Sequence, residues 1–220
     1  MIFDWPTLLQ SLPLMAASLL TTLGVSLAGL GIGFVIGIGV CTLRLSPRPL
    51  LRRLGGAYIF VFRGVPLLVQ LLFIYYFLPR IGLPNVSPLV AAVIGLALAA
   101  GAYIAEIFRG GFLAIPGGQL EAAHLLGISA WQILLRIKVP QAVRLTLPAL
   151  LNEMILLIKA SSLVSVVGLA DLTRTAQNLA ASNYLFLQTY LVLAAFYCLI
   201  NIPLAFCGGL LERRLQRGLA

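Results

Sequence analysis

Charge is what this sequence has least of. Asp, Glu, Lys and Arg make up 10% of its 220 residues, and only six of them are acidic, against roughly 25% charged residues in a soluble domain. A water-facing globular surface is therefore excluded. Histidine occurs once, at His124, with no second ligand or nucleophile near it, so neither a histidine-based metal centre nor acid-base catalysis has its parts. The three cysteines, Cys41, Cys198 and Cys207, all lie within apolar runs and read as packing residues, with no disulfide or metal framework. There is no phosphate-binding glycine loop, so this chain is not expected to hold ATP itself. Long polar linkers, low-complexity tails and internal repeats are also missing, which leaves one domain spanning residues 1–220.

What fills the sequence is apolar length. Hydrophobic residues reach 61% and mean hydropathy is +1.06. A membrane-crossing helix needs roughly 20 mostly apolar residues, and five stretches supply them: about 12–43, 57–78, 86–107, 145–163 and 184–211. The fold class is all-α integral membrane. The leading segment MIFDWPTLLQSLP carries Asp4 and no Lys or Arg, and its apolar run is long, so it reads as a retained first span and not as a cleaved signal peptide.

The formal net charge of +9 is distributed by loop. Arg44, Arg48, Arg52 and Arg53 follow the first span; Arg109, Arg136, Lys138 and Arg144 follow the third; Arg213, Arg214 and Arg217 follow the fifth. The intervening loops hold only Arg80 and Arg174. Basic residues collect on the cytoplasmic side of a membrane protein. The alternation places the N-terminus outside and the C-terminus in the cytoplasm, and it explains the charge without a nucleic-acid partner.

The longest connection, about 108–144, is the one polar interruption. Pro116, Gly117 and Gly118 break the chain, QLEAAHLL reads as a short helix ended by Gly127, and Ser129 is the N-cap of a second helix, AWQILLRIK, stopped before Pro140. Leu120, Ala123 and Leu126 are expected on one face, Glu121 and His124 on another. Two readings are open at this point: a helix lying in the headgroup region with Trp131 as anchor, or a docking knob.

The stretch resembles the EAA loop of ABC-importer permeases: Glu121, Ala122 and Ala123, Gly127 four positions on, then Ile137 and Pro140. Further stretches are similar to permeases for polar amino acids, of the histidine, arginine, glutamine and glutamate type: RGVPLLVQ at 63–70, EIFRGGFLAIPGGQLEAAHLLG at 106–127 and LNEMILLIKASSLVSVVGLADLTR at 151–174. The resemblance implies the transmembrane domain of a type I ABC importer, with residues 115–140 as the coupling loop. Glu121, Ala122, Ala123, His124, Gly127, Ile137 and Pro140 would then form the ATPase-docking set. Implied partners are an ABC ATPase dimer carrying ATP-Mg, a second permease copy or paralogue, an extracytoplasmic solute-binding protein, a polar amino acid and membrane lipid. No cofactor is expected on this chain, and hydrolysis belongs to the ATPase.

Charges inside a span are costly, about 2.5–3.5 kcal/mol at a helix centre on insertion scales. Glu153 and Lys159 in the fourth span need a reason, and at six residues apart they do not pair directly. Each either finds a partner on another helix, with Lys159 also free to snorkel outward, or lines a polar cavity. In the cavity reading KASSLVS marks a helix break, with Lys159, Ser161, Ser162 and Leu163 facing an amino acid. Gly64, Leu67 and Gln70 form the opposite wall, and Glu153 faces a substrate ammonium or guanidinium. Ala160 and Ser161 stand where many relatives have aspartate and threonine, so substrate preference does not carry over; the single acid leans toward basic amino acids. Glu106 and Arg109 are spaced for a local ion pair. Glycines at 24, 29, 31, 33, 37 and 39 suit close helix packing. Competing functions are a proton-coupled secondary transporter working through Glu153, and a non-transporting membrane scaffold.

Overall fold

The computed structural model describes residues 4–82 and 84–217, with side chains through residue 215. The first three residues of the leading segment, Leu83 and the side chain of Arg217 lie outside the described residues. Among those described, the chain is helical throughout, without strands. Four helical stretches are long and apolar enough to cross a membrane, and a bent helix pair supplies a fifth crossing.

The first helix, α1 (Trp5–Leu45), starts seven residues before the apolar run at 12, because the sequence D-W-P-T is a helix start. Asp4 caps it, accepting from the Thr7 N–H and hydroxyl, and Pro6 sits where no N–H is needed. With 41 residues it extends roughly 60 Å.

The second crossing is broken. α2 (Pro49–Gly64) is followed by α3 (Leu67–Leu72), which opens the helical stretch Leu67–Ile81, and that stretch lies at 102° to α2. Pro66 is the cause: it has no N–H for the Phe62 carbonyl, and it holds Val65 extended at ψ 130. A π turn (Phe73–Phe77) and a 3-10 turn (Leu78–Ile81) complete the crossing, ending at Gly82 with φ +92.

The centre of the bundle is α4 (Pro88–Leu113), capped by Ser87 and nearly continuous in Ala and Gly along its buried faces. α1 packs along it. A Cβ placed on Gly29, Gly33 or Gly37 would come within 2.7 Å of Leu96 Cβ, 2.8 Å of Ala100 Cβ and 2.6 Å of Ile104 Cγ2 respectively. Lipid gives helices no hydrophobic reason to associate, so such backbone proximity is what holds them. Gly24, Gly31 and Gly39 meet nothing within 4 Å and are not part of that seam.

After two short helices, α5 (Gly117–Leu125) and α6 (Ala130–Ile133), comes α7 (Val139–Ala160). Here the sequence expectation of a stop before Pro140 fails. A π turn over Leu134–Lys138 links α6 to α7, so Ala130–Val167 is one helical run. The wider turn supplies the room that a proline ring needs inside a helix. α7 becomes 3-10 over Ser161–Val167 and ends at Gly168, φ +85.

The segment that follows holds a helix the hydropathy pattern does not reveal, α8 (Leu172–Asn183), with Leu172 and Ala176 packed against α1 and α9 (Phe186–Arg217) and Ala180 also buried. The last crossing, α9, is the least buried, with Leu199, Ile202 and Phe206 each about two-thirds exposed.

Candidate substrate cavity and docking knob

The knob is built by two local motifs back to back. At the end of α5, Ile128 N–H donates to the Ala123 carbonyl at 3.1 Å and Gly127 N–H to the His124 carbonyl at 3.0 Å. These bonds make a Schellman motif, and it requires the left-handed φ +71 of Gly127. Two residues on, Ser129 accepts from Gln132 N–H while the Gln132 side chain accepts from Ser129 N–H, a capping box for α6.

Ala123 is the buried pivot of the corner, at 4% exposure. Glu121, Ala122, His124 and Gly127 are exposed around it. Ile137 is half-buried and Pro140 exposed, both at the base where α6 passes into α7. Leu126, expected on one face with Leu120 and Ala123, is instead 79% exposed while Ala123 is buried, because α5 has already ended and Leu126 is its C-cap. With Leu125 at 89% and Trp131 at 66%, it gives the knob an apolar tip.

At the break in the second crossing, Gln70 takes over the work of the missing N–H. Its Nε2 donates to the Phe62 carbonyl at 3.0 Å and to the Val65 carbonyl at 2.8 Å. The Phe62 carbonyl is the acceptor that Pro66 leaves orphaned. Gln70 Oε1 stays buried with no partner. Gly64 is exposed at the end of α2, and Leu67 is packed on the main core.

The structure packs α3, which carries Leu67 and Gln70, against the 3-10 segment 161–167. Ser161 is fully buried and its hydroxyl donates to the Ile158 carbonyl at 2.8 Å; Ser162 offers its carbonyl to Ser165 Oγ at 2.9 Å. Leu163 is part of the core margin. Lys159 is exposed, without a hydrogen bond or ion pair among the described residues.

Glu153 lies eight residues before Ser161, roughly 12 Å along the axis. It is 7% exposed, on the stripe that carries Leu150 and Leu157 into the core. Among the described residues no hydrogen bond or salt bridge reaches its carboxylate, and Arg63, two residues before the Val65-Pro66 break, acts on it only from beyond ion-pair distance. Arg63 stacks over the Tyr103 ring at 5.0 Å.

Glu106 is held differently. Arg109 donates to it from Nε and Nη2 at 2.6–3.0 Å, and Arg44 Nε approaches to 3.7 Å. The expected local pair is thus a three-residue tie between α1 and α4.

Asp171 is an acid that the sequence reading passed over. It is fully buried and caps α8, accepting from Thr173 N–H at 3.1 Å and Arg174 N–H at 2.9 Å. Burial pushes its carboxyl above the usual range, and those backbone donors pull the other way. Its signal was available: D-L-T-R is a helix start, with Asp where an N-cap belongs.

A family model for the binding-protein-dependent transport system inner membrane component matches residues 29–217. The chain belongs to that family. This permease chain is 38% identical over 215 residues to the glutamine transport system permease protein GlnP of Escherichia coli strain K12, covering 97% of this chain and 98% of that one. It is 34% identical over 214 residues to the arginine transport system permease protein ArtQ of Bacillus subtilis strain 168, covering 97% of each. Among solved structures, it matches a crystal structure of an amino acid ABC transporter with histidines at TM-score 0.91 and 36% identity, over 97% of this chain and all of that one. A MetNI methionine ABC transporter chain matches at TM-score 0.77 and 22% identity, a likeness of fold. The permease has the type I importer fold and is a multi-pass protein of the bacterial inner membrane.

Proposed function

We propose that the chain is the permease subunit of an ABC importer that carries polar amino acids inward, and that Glu153 and Arg63 face the substrate. The observation that carries this is Glu153, 7% exposed on the core stripe of α7 and with no hydrogen bond or ion pair among the described residues. A zwitterionic amino acid presents the complement of both charges. Burying a carboxylate without such a partner is costly, so a scaffold role leaves Glu153 without a purpose.

Five crossings make half a pathway. The chain pairs with a second copy or a paralogue, two ATPases holding ATP-Mg bind at the α5–α6 end, and a solute-binding protein delivers substrate at the other. The basic end bearing Arg44, Arg109 and Arg144 faces the cytoplasm and the N-terminus faces out. ATP closes the ATPases, their movement reaches the bundle through the knob at Glu121–Gly127, and its base at Ile137–Pro140 joins α7 directly. Lys159, Ser161, Ser162, Leu163, Gly64, Leu67 and Gln70 border the same region, Gln70 chiefly by fixing the break.

Uptake competition tests the substrate class. Arginine, histidine, glutamine and glutamate are set against a labelled amino acid, in the parent and in Glu153→Gln. The expected result is preference for a basic or amide amino acid and weakened uptake in the variant with the complex assembled. Unchanged uptake in Glu153→Gln contradicts the role of that residue.

A further inference from the structure

At the basic end, the end of α4, the start of α7 and the end of α9 enclose a cavity of about 630 Å3. Arg144 on α7 and Arg214 on α9 both line it, and neither makes a hydrogen bond or ion pair among the described residues. Like charges on separate helices repel when brought to one space. Among the described residues no carboxylate lies within ion-pair distance of either arginine, and an anion between them would complement both charges. Gln119 and Gln141 line the same space. Gln141 Nε2 donates to Gln119 Oε1 at 3.0 Å, which leaves the Gln119 amide N–H groups as further donors.

A smaller cavity of about 360 Å3 shares Arg144, Leu145 and Leu215 with the first and continues between α7 and α9 along Pro148 and Ala149 as far as Asn152. Glu212 borders this second space and is engaged in an interaction of its own. The two together form a groove that holds Arg144 and Arg214 and offers apolar surface at Leu145, Pro148, Ala149 and Leu215, with Asn152 and Glu212 also on its wall.

We infer that this groove binds one anionic phospholipid, with the phosphate between Arg144 and Arg214 and an acyl chain along Leu145, Leu215 and Pro148. Free phosphate shares the headgroup chemistry but has no use for the apolar continuation. The lipid bridges α7 and α9, and the Gln119–Gln141 bond extends that bridge to the first turn of α5, so the bound lipid steadies the base of the knob. Placement in the inner leaflet, where clustered basic residues meet anionic lipid, rests on the orientation proposed above.

The test is lipid retention by the full chain purified from membranes. It is exchanged into mixtures of phosphatidylglycerol and phosphatidylcholine and read by native mass spectrometry. The parent is expected to keep one phosphatidylglycerol per chain, with binding about five-fold weaker for each arginine neutralised in Arg144→Gln and Arg214→Gln. The Arg144→Lys and Arg214→Lys variants are expected to retain it and serve as folding controls. Equal retention in the glutamine and parent forms overturns the assignment. So does displacement of the lipid by millimolar inorganic phosphate, which would make the groove a phosphate site. Loss of the ATPase from the glutamine variants with phosphatidylglycerol still bound also overturns it, since the arginines would then serve a protein contact.

Discussion

The Thr22 hydroxyl, halfway along α1, accepts the backbone N–H of Leu172 at 2.9 Å, across 150 residues of sequence. Both residues are fully buried. The bond satisfies a donor at the first turn of α8 and pins that helix to α1. Thr22→Val keeps the shape and removes the acceptor, leaving a buried N–H unpaired at about 1–3 kcal/mol. The variant is expected to melt earlier in detergent, whereas Thr22→Ser, which keeps a hydroxyl, stays close to the parent.

Asp171, one residue before Leu172, gives stability a pH dependence of defined sign. Burial raises its carboxyl in the folded chain, so the unfolded chain ionises first as pH rises. Its contribution is therefore fullest in acid and falls as pH climbs through the raised value. Melting curves from roughly pH 4 to pH 7 should show a downward slope that Asp171→Asn flattens, while Asp171→Ala loses the cap at about 1 kcal/mol across that range. The same slope in parent and Asp171→Asn contradicts the assignment.

The glycine seam separates two sets of positions that look alike in sequence. At Gly33 an added Cβ meets Ala100 Cβ at 2.8 Å and at Gly37 Ile104 Cγ2 at 2.6 Å, while at Gly31 and Gly39 it meets nothing. Gly33→Ala and Gly37→Ala should each destabilise the bundle by about 1–3 kcal/mol. Gly31→Ala and Gly39→Ala should be tolerated, as read by thermostability in detergent.

Most of the fold was legible because lipid imposes long apolar runs and asymmetric loop charge, both visible residue by residue. The knob was legible for a different reason: Gly127 and Ser129 fix local backbone geometry without reference to the rest of the chain. What escaped depends on tertiary contact. α8 carries too little apolar length to register as a crossing, and its burial rests on Thr22 and Asp171. The continuity of α6 into α7 was hidden because Pro140 reads as a stop, and only the π turn before it reveals otherwise. At the site, Glu153 stood out by its charge, but its relation to Arg63 follows from the bend at Pro66, which no spacing along the sequence encodes. Gln70 was read as a wall of the cavity, whereas both of its donated bonds go to the backbone at the break.

The knob's apolar tip makes docking separable from folding. Leu125 and Leu126 are 89% and 79% exposed, so Leu125→Ser and Leu126→Ser should leave the melting temperature nearly unchanged. Loss of contacts of that size weakens an interface by about ten-fold each, to be read as ATPase retained on purification. Gly127→Trp, which forces a side chain into φ +71, should release the ATPase altogether. Full retention in all three variants would show that the ATPase does not sit here.

The central claim is that ATP's work enters this chain through the knob to move an amino acid past Glu153. The most direct measurement is uptake of a labelled amino acid into proteoliposomes holding the chain, its ATPase and its binding protein, with ATP and a proton gradient supplied separately. ATP alone is predicted to drive uptake in the parent and to fail in Gly127→Trp. Uptake driven by the proton gradient in the absence of the ATPase would contradict the account, and would identify the chain as a secondary transporter.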